Sequence, residues 1–134
     1  MSATFRREID ALPDVFAFVG QFFDSENLDP KLRFPVDFVL EELFTNFVKY
    51  NPEGKSDIRV CLAVENEELK VALTDYDTAP FDIRKDAPEV DTTLPLEERK
   101  PGGLGVHLVK TMMDRIEYQH AERVGTITLY KALR

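Results

Sequence analysis

The chain has 134 residues, 43% of them hydrophobic and 31% charged, a size and composition that fit one domain, 1–134, around one core. Its formal net charge of −8 argues against nucleic-acid binding, which needs a basic surface to replace phosphate counterions. Cys61 is the single cysteine, which excludes an internal disulfide and a thiolate metal cluster; no apolar run reaches signal-peptide or membrane-span length, so a cytoplasmic protein is expected.

Thr4 to Ile9 reads as a short first strand. Pro13 then suits the first turn of a helix, where its missing N–H is not needed, and Val15, Phe16, Phe18, Val19, Phe22 and Phe23 follow at helical spacing. Asp24 to Lys31 is polar and holds the turn signal Asp29-Pro30. A second helix is expected from about Pro35 to Tyr50, with Phe38, Val39, Leu40, Leu43, Phe44, Phe47 and Val48 forming a broad apolar surface before the stop Asn51-Pro52-Glu53-Gly54.

Ile58 to Val64 and Leu69 to Asp75 read as strands joined by the acidic turn Glu65 to Glu68. Asp82 to Pro101 carries Pro88, Pro95 and Pro101 and no sustained periodicity; a connection this long inside a domain is usually functional. Gly102-Gly103-Leu104-Gly105 closes it and opens a helix through about Asp114. Ile116 to His120 and Thr126 to Leu133 form a closing hairpin around Val124-Gly125. The expected fold class is α/β (α+β): a two-layer sandwich with helices on one face of a mostly antiparallel sheet.

Three groups of residues bear on chemistry. Glu42, Asn46 and Lys49 share a face of the second helix. A carboxylate, an amide oxygen and an ammonium together suit a Mg²⁺-phosphate complex, although the same residues taken alone also describe a solvated stripe on an amphipathic helix. Asp75 continues the parity of Leu69, Val71 and Leu73, so a carboxylate ends a buried row and needs a hydrogen-bond donor there. The exocyclic amine of adenine is one such donor; a plain strand-ending aspartate is the other reading. Glycines at Gly102, Gly103 and Gly105 before helical sequence let backbone N–H groups converge on an anion, or act merely as a hinge. His107 is placed to face such an anion from the first helical turn, with a plain surface or helix-end histidine as the other reading; His107 and His120 are the only histidines, and they support no metal cluster.

These groups occur in a particular order. Glu42-Leu-Phe-Thr-Asn46-Phe-Val-Lys49-Tyr50 resembles the N-box of the histidine-kinase-like ATPase superfamily. Leu73-Thr-Asp75 through Pro80-Phe81-Asp82 resembles its G1 box. Gly102-Gly-Leu-Gly105-Val-His-Leu-Val109-Lys110, with Met113-Asp114 and Tyr118, resembles its G2 box and the sequence after it. The likeness covers roughly Val36 to Leu133, and the wording Pro-Phe-Asp and Gly-Gly-Leu-Gly is similar to the anti-sigma-factor serine-protein kinase branch.

The resemblance implies the Bergerat-type sandwich with ATP under a lid at 82–101. It implies Glu42 as catalytic base, Asn46 as the Mg²⁺ contact, and cofactor contacts from Asn46, Lys49, Tyr50, Asp75, Gly103, Leu104, Gly105, Val106 and His107. It further implies phosphorylation of a serine on a STAS-type antagonist protein, binding of a sigma factor, and homodimers; from charge and hydropathy, no nucleic acid and no membrane is expected as a partner. The chain departs from the G1 pattern by reading Asp75-Tyr76-Asp77-Thr78-Ala79 without the family's glycine, so Asp77 competes with Asp75 for the adenine contact, and strand parity favours Asp75. The altered box leaves a second reading open, a non-catalytic module that sequesters a sigma factor or STAS partner. A histidine kinase's ATP-binding half working in trans ranks below both, for want of a hairpin bearing a phospho-acceptor histidine.

Overall fold

The computed structural model describes residues 1–50, 56–76 and 103–133. The expected lid at 82–101, the G1-like residues from Asp77 to Asp82, the stop at 51–54, and Gly102 lie outside the described residues. Five strands, β1 (Ser2–Phe5), β2 (Ile58–Glu65), β3 (Glu68–Asp75), β4 (Arg115–Ala121) and β5 (Val124–Ala132), form one sheet in the order β1-β2-β3-β5-β4. Every neighbouring pair is antiparallel. Helices α1 (Leu12–Glu26), α2 (Arg33–Tyr50) and α3 (Gly103–Met112) complete the second layer, so the expected fold class is what the chain adopts.

Strand alternation decides which face is covered. Ile58, Val60 and Leu62 of β2, Leu69, Val71 and Leu73 of β3, and Ile127 and Leu129 of β5 are all buried, and the registers Val60↔Leu73 and Leu73↔Ile127 place them side by side. Against this face pack the fully buried Val15, Val19 and Phe22 of α1 and Val36, Val39, Leu40, Leu43 and Phe44 of α2. The opposite face carries Arg59, Lys70, Thr74, Thr126, Glu117 and Gln119 and needs no cover.

The helix ends follow local chemistry. Asn27 ends α1 in the left-handed conformation at φ 50°, a role an amide side chain tolerates. Asp29 accepts the Lys31 N–H at 2.9 Å and starts the 3-10 turn that leads into α2, two residues earlier than the sequence suggests. α3 ends at Met112, not Asp114, because the Asp114 N–H already bonds the Tyr130 carbonyl at 2.8 Å and has joined the sheet.

Two boundaries differ more. The first strand stops at Phe5 instead of reaching Ile9; the Glu8 N–H turns back to the Arg6 carbonyl and a 3-10 turn spans Ile9–Ala11. The last hairpin turns at Glu122 and Arg123, with φ 52° and 65°, and not around Val124-Gly125. Two successive positive φ values make a tight turn whose twist matches the flanking strands. Gly125, the residue that would have adopted that conformation most cheaply, lies instead inside β5 opposite Asp75.

Candidate functional site

α2 carries the first set of residues. Leu40, Leu43 and Phe44 bury its core-facing side, which fixes the rotation of the helix about its axis. That rotation leaves Glu42 half-buried, draws Asn46 in to 4% exposure and leaves Lys49 exposed. The shared face read from the sequence is therefore uneven: Asn46 in its middle is the most deeply buried, with Glu42 half-buried on one side and Lys49 exposed on the other. Burial pushes the Glu42 carboxyl above its usual range, the charge of Glu41 adds to that, and Lys49 works against it. The Asn46 side-chain Nδ2 is buried without a hydrogen-bond partner. An orphaned buried amide is costly and uncommon, and a 180° turn of the same amide would place its oxygen there instead.

α3 packs against α2. Gly103, Leu104, Gly105 and Val106 form its first turn, where backbone N–H groups have no partners inside the helix. Their side chains, like that of Tyr50, lie outside what the structure describes. His107 follows on the same helix with an exposed side chain, and its carbonyl accepts from Thr111 Oγ1 at 3.0 Å.

Asp75 ends β3 on the core face, as its parity with Leu69, Val71 and Leu73 predicts, and is 4% exposed. The donor it meets is Arg7. Both guanidinium nitrogens face the carboxylate: Arg7 Nη1 lies 3.3 Å from Asp75 Oδ2, and Nη2 pairs with Oδ1. Arg7 also donates from Nη1 to the Phe47 carbonyl and from Nε to the Ser56 carbonyl, each at 3.2 Å. Phe47 lies in the last turn of α2, so the cation that donates to its carbonyl sits at the negative end of the helix dipole. Phe47 directly follows Asn46, so Arg7 joins Asp75 to the turn of α2 that bears the orphaned amide.

Arg7 is the residue that sequence reasoning passed over. It lies in a short charged stretch before any recognisable motif, and the only hint is an arginine close after an alternating apolar segment. Gly125 is the second omission. Register puts it beside Asp75 on the core face, where it contributes no side chain. His120 is its neighbour on β4. The structure thus brings Asn46, Asp75, Arg7 and Gly125 into one region, beneath the helix that α3 also touches. Among the described residues no cluster of three or more metal-ligating side chains exists. No described helix is long and apolar enough to cross a membrane.

Comparison with known proteins gives a consistent picture. A family model described as the histidine kinase-like ATPase domain matches residues 5–131. The serine-protein kinase RsbW of Bacillus velezensis is 31% identical over 98 residues, which make up 70% of this chain and 61% of that kinase. The chain thus spans about three fifths of the curated relative it matches. Among solved structures, the RsbU and RsbW domains of Rv1364c from Mycobacterium tuberculosis superpose with a TM-score of 0.68 at 12% identity, covering 98% of this chain and 31% of that one. The SiaB-SiaC complex from Pseudomonas aeruginosa gives 0.67 at 14% identity, covering 97% of this chain and 88% of that one. At these identities the superpositions speak to the fold.

Proposed function

The chain belongs to the histidine kinase-like ATPase domain family and is related to RsbW-type anti-sigma-factor kinases, and from that premise we propose that it is an ATP- and Mg²⁺-dependent serine-protein kinase acting on a STAS-type antagonist protein. The observation that carries this reading is the uneven face of α2, with a half-buried, pKa-raised Glu42 one turn from a buried Asn46 whose amide lacks a partner.

The residues present fit a magnesium nucleotide. The unpartnered atom is the Asn46 Nδ2; with the amide turned by 180° its oxygen takes that place, and an amide oxygen is the kind of hard donor Mg²⁺ takes in company with waters. Lys49 and the first turn of α3 supply positive potential for phosphate oxygens. Bound ATP would supply the phosphoryl group. The protein's own task is then to hold and orient. Glu42, raised by burial toward neutrality, is suited to take the proton from a serine hydroxyl brought by the partner protein, since a base acts best with a pKa near the working pH. Asp75 holds the base end of the nucleotide, and Tyr50, Leu104, Val106 and His107 line its surroundings in this reading.

The test is a purified phosphotransfer assay with ATP, Mg²⁺ and a STAS-domain antagonist. Glu42→Ala should lower transfer by a factor of about 10² or more while ATP affinity changes little. Transfer at the wild-type rate in that variant would remove Glu42 from the chemistry. An antagonist left unmodified by the wild-type protein, with binding intact, would favour the non-catalytic sequestering module.

A further inference from the structure

The helix that bears Glu42 and Asn46 also carries an aromatic pair upstream of them. We propose that Phe34 and Phe38 form the docking surface for the protein that brings its serine to Glu42. This rests on the kinase reading above and names the surface on which the acceptor sits.

An α-helix turns by about 100° per residue, so a step of four residues overshoots a full turn by about 40°. Phe34, Phe38, Glu42 and Asn46 stand at that step and make one ridge of α2. Such a ridge winds slowly about the helix axis, and here it winds from solvent to interior. Phe34 is 66% exposed, Phe38 and Glu42 are half-buried, and Asn46 is 4% exposed. The Phe34 and Phe38 rings lie 6.1 Å apart between centroids. Glu42 therefore has the amide proposed for the metal one turn downstream and an aromatic surface one turn upstream. With the nucleotide on the Asn46 side, a protein that presents a serine to Glu42 extends over the phenylalanines.

The fold does not need Phe34. Val36, Val39, Leu40, Leu43 and Phe44 already fill the core side of α2, and Phe34 is the most exposed large hydrophobic among the described residues. A rigid aromatic set beside a second ring at a helix surface is the kind of anchor that carries binding energy in protein interfaces.

Charge selects the partner and disfavours a second copy. Glu41, exposed and one turn beyond Phe38, adds a negative rim to the patch, on a chain of net charge −8. Two copies meeting here about a two-fold axis would set acidic surface against acidic surface. An acceptor with an apolar side chain beside a lysine or arginine fits instead. Eight residues of helix, about 12 Å, separate Phe34 from Glu42, so the acceptor's apolar anchor lies about that far from its serine.

Steady-state transfer to the STAS-domain antagonist, with acceptor varied at saturating Mg²⁺-ATP, tests this in the wild-type chain, Phe34→Ala, Phe34→Leu and Glu41→Lys. Phe34→Ala should raise KM for the acceptor about tenfold and leave kcat at saturation within about twofold. Its affinity for Mg²⁺-ATP and its melting temperature should match the wild type. Phe34→Leu keeps an apolar anchor and should recover part of the loss; Glu41→Lys should raise KM, most clearly at low salt. An unchanged KM in Phe34→Ala overturns the proposal, and a wild-type dimer that this variant dissociates at unchanged KM assigns the surface to a second copy. A parallel loss of nucleotide affinity also overturns it, since Phe34 would then serve the nucleotide site. A wild type that binds the antagonist without modifying it fails the kinase reading alone, and the dissociation constants of the same variants then decide the docking surface. A wild type that does not bind the antagonist overturns both.

Discussion

Arg7 and Asp75, 68 residues apart in sequence, form a buried two-point ion pair that ties the exit of the first strand to the end of the third. Because the same guanidinium holds the Phe47 carbonyl, this contact also anchors the last turn of α2. Sheet, helix and N-terminal segment are thus registered at a single point, next to the buried amide of Asn46.

Breaking that pair one-sidedly should be severe. Arg7→Ala leaves a buried carboxylate without its partner, and we expect a loss of about 3–5 kcal/mol in unfolding free energy. Arg7→Met combined with Asp75→Asn removes both charges and should recover more than half of that loss. Urea denaturation of the three proteins measures it; a loss below about 1 kcal/mol in the single variant would mean the pair is exposed in solution.

Asn46 should trade stability for ligand. An unsatisfied buried polar group costs about 1–3 kcal/mol, so Asn46→Leu, similar in shape and apolar, should be as stable as the wild type or more so. The same change should weaken Mg²⁺-ATP binding at least about tenfold. Parallel denaturation and titration experiments check both halves. A destabilised variant that still binds nucleotide normally would mean that the amide is satisfied in solution and serves packing.

Glu42 should leave a signature in the pH dependence of stability. Its carboxyl holds a proton more tightly in the folded chain than in the unfolded one, chiefly through burial and secondarily through Glu41, against the opposing charge of Lys49. The folded state therefore binds more protons between the unfolded value, about 4.3, and the raised folded value, and stability falls as pH rises through that window. Glu42→Gln does not titrate. The variant should melt above the wild type at neutral pH, and the difference should shrink as the pH is lowered toward 4. A difference independent of pH would contradict the raised carboxyl. In a transfer assay, the acid limb of the wild-type rate profile should lie above the ordinary carboxylate range.

Two phenylalanines of α2 should behave oppositely. Phe44 is fully buried, and Phe44→Ala should cost about 3–5 kcal/mol through lost burial and the cavity it leaves. Phe34 is 66% exposed, with its ring 6.1 Å from that of Phe38 between centroids, so Phe34→Ala should stay within about 0.5 kcal/mol of wild type. Thermal melts of the two variants side by side are sufficient. Equal losses would mean that Phe34 is covered in solution.

Local pattern determined much of this protein. The period of two in Leu69, Val71, Leu73 and Asp75 set the strand, its buried face and the burial of the aspartate, because side chains alternate strictly along a strand. Helical spacing set α1 and α2 and which residues of α2 would share a face, and the order of three motifs pointed to the family. What spacing could not supply was depth: Glu42, Asn46 and Lys49 look alike on a helical wheel, yet they differ in burial, and only packing against the sheet decides that Asn46 is the one drawn inside.

Long-range pairing lay beyond the sequence altogether. Arg7 had no motif around it, and its role comes from where β1 docks and where α2 ends, both set by contacts among distant segments. Gly125 suggested a turn because glycine accepts positive φ most easily, but register placed Glu122 and Arg123 in the turn and the glycine beside Asp75. Periodicity is a property of neighbouring residues and survives in a bare sequence. The identity of a buried charge's partner is a property of the closed chain, and it exists only once the sheet and helices have been brought together.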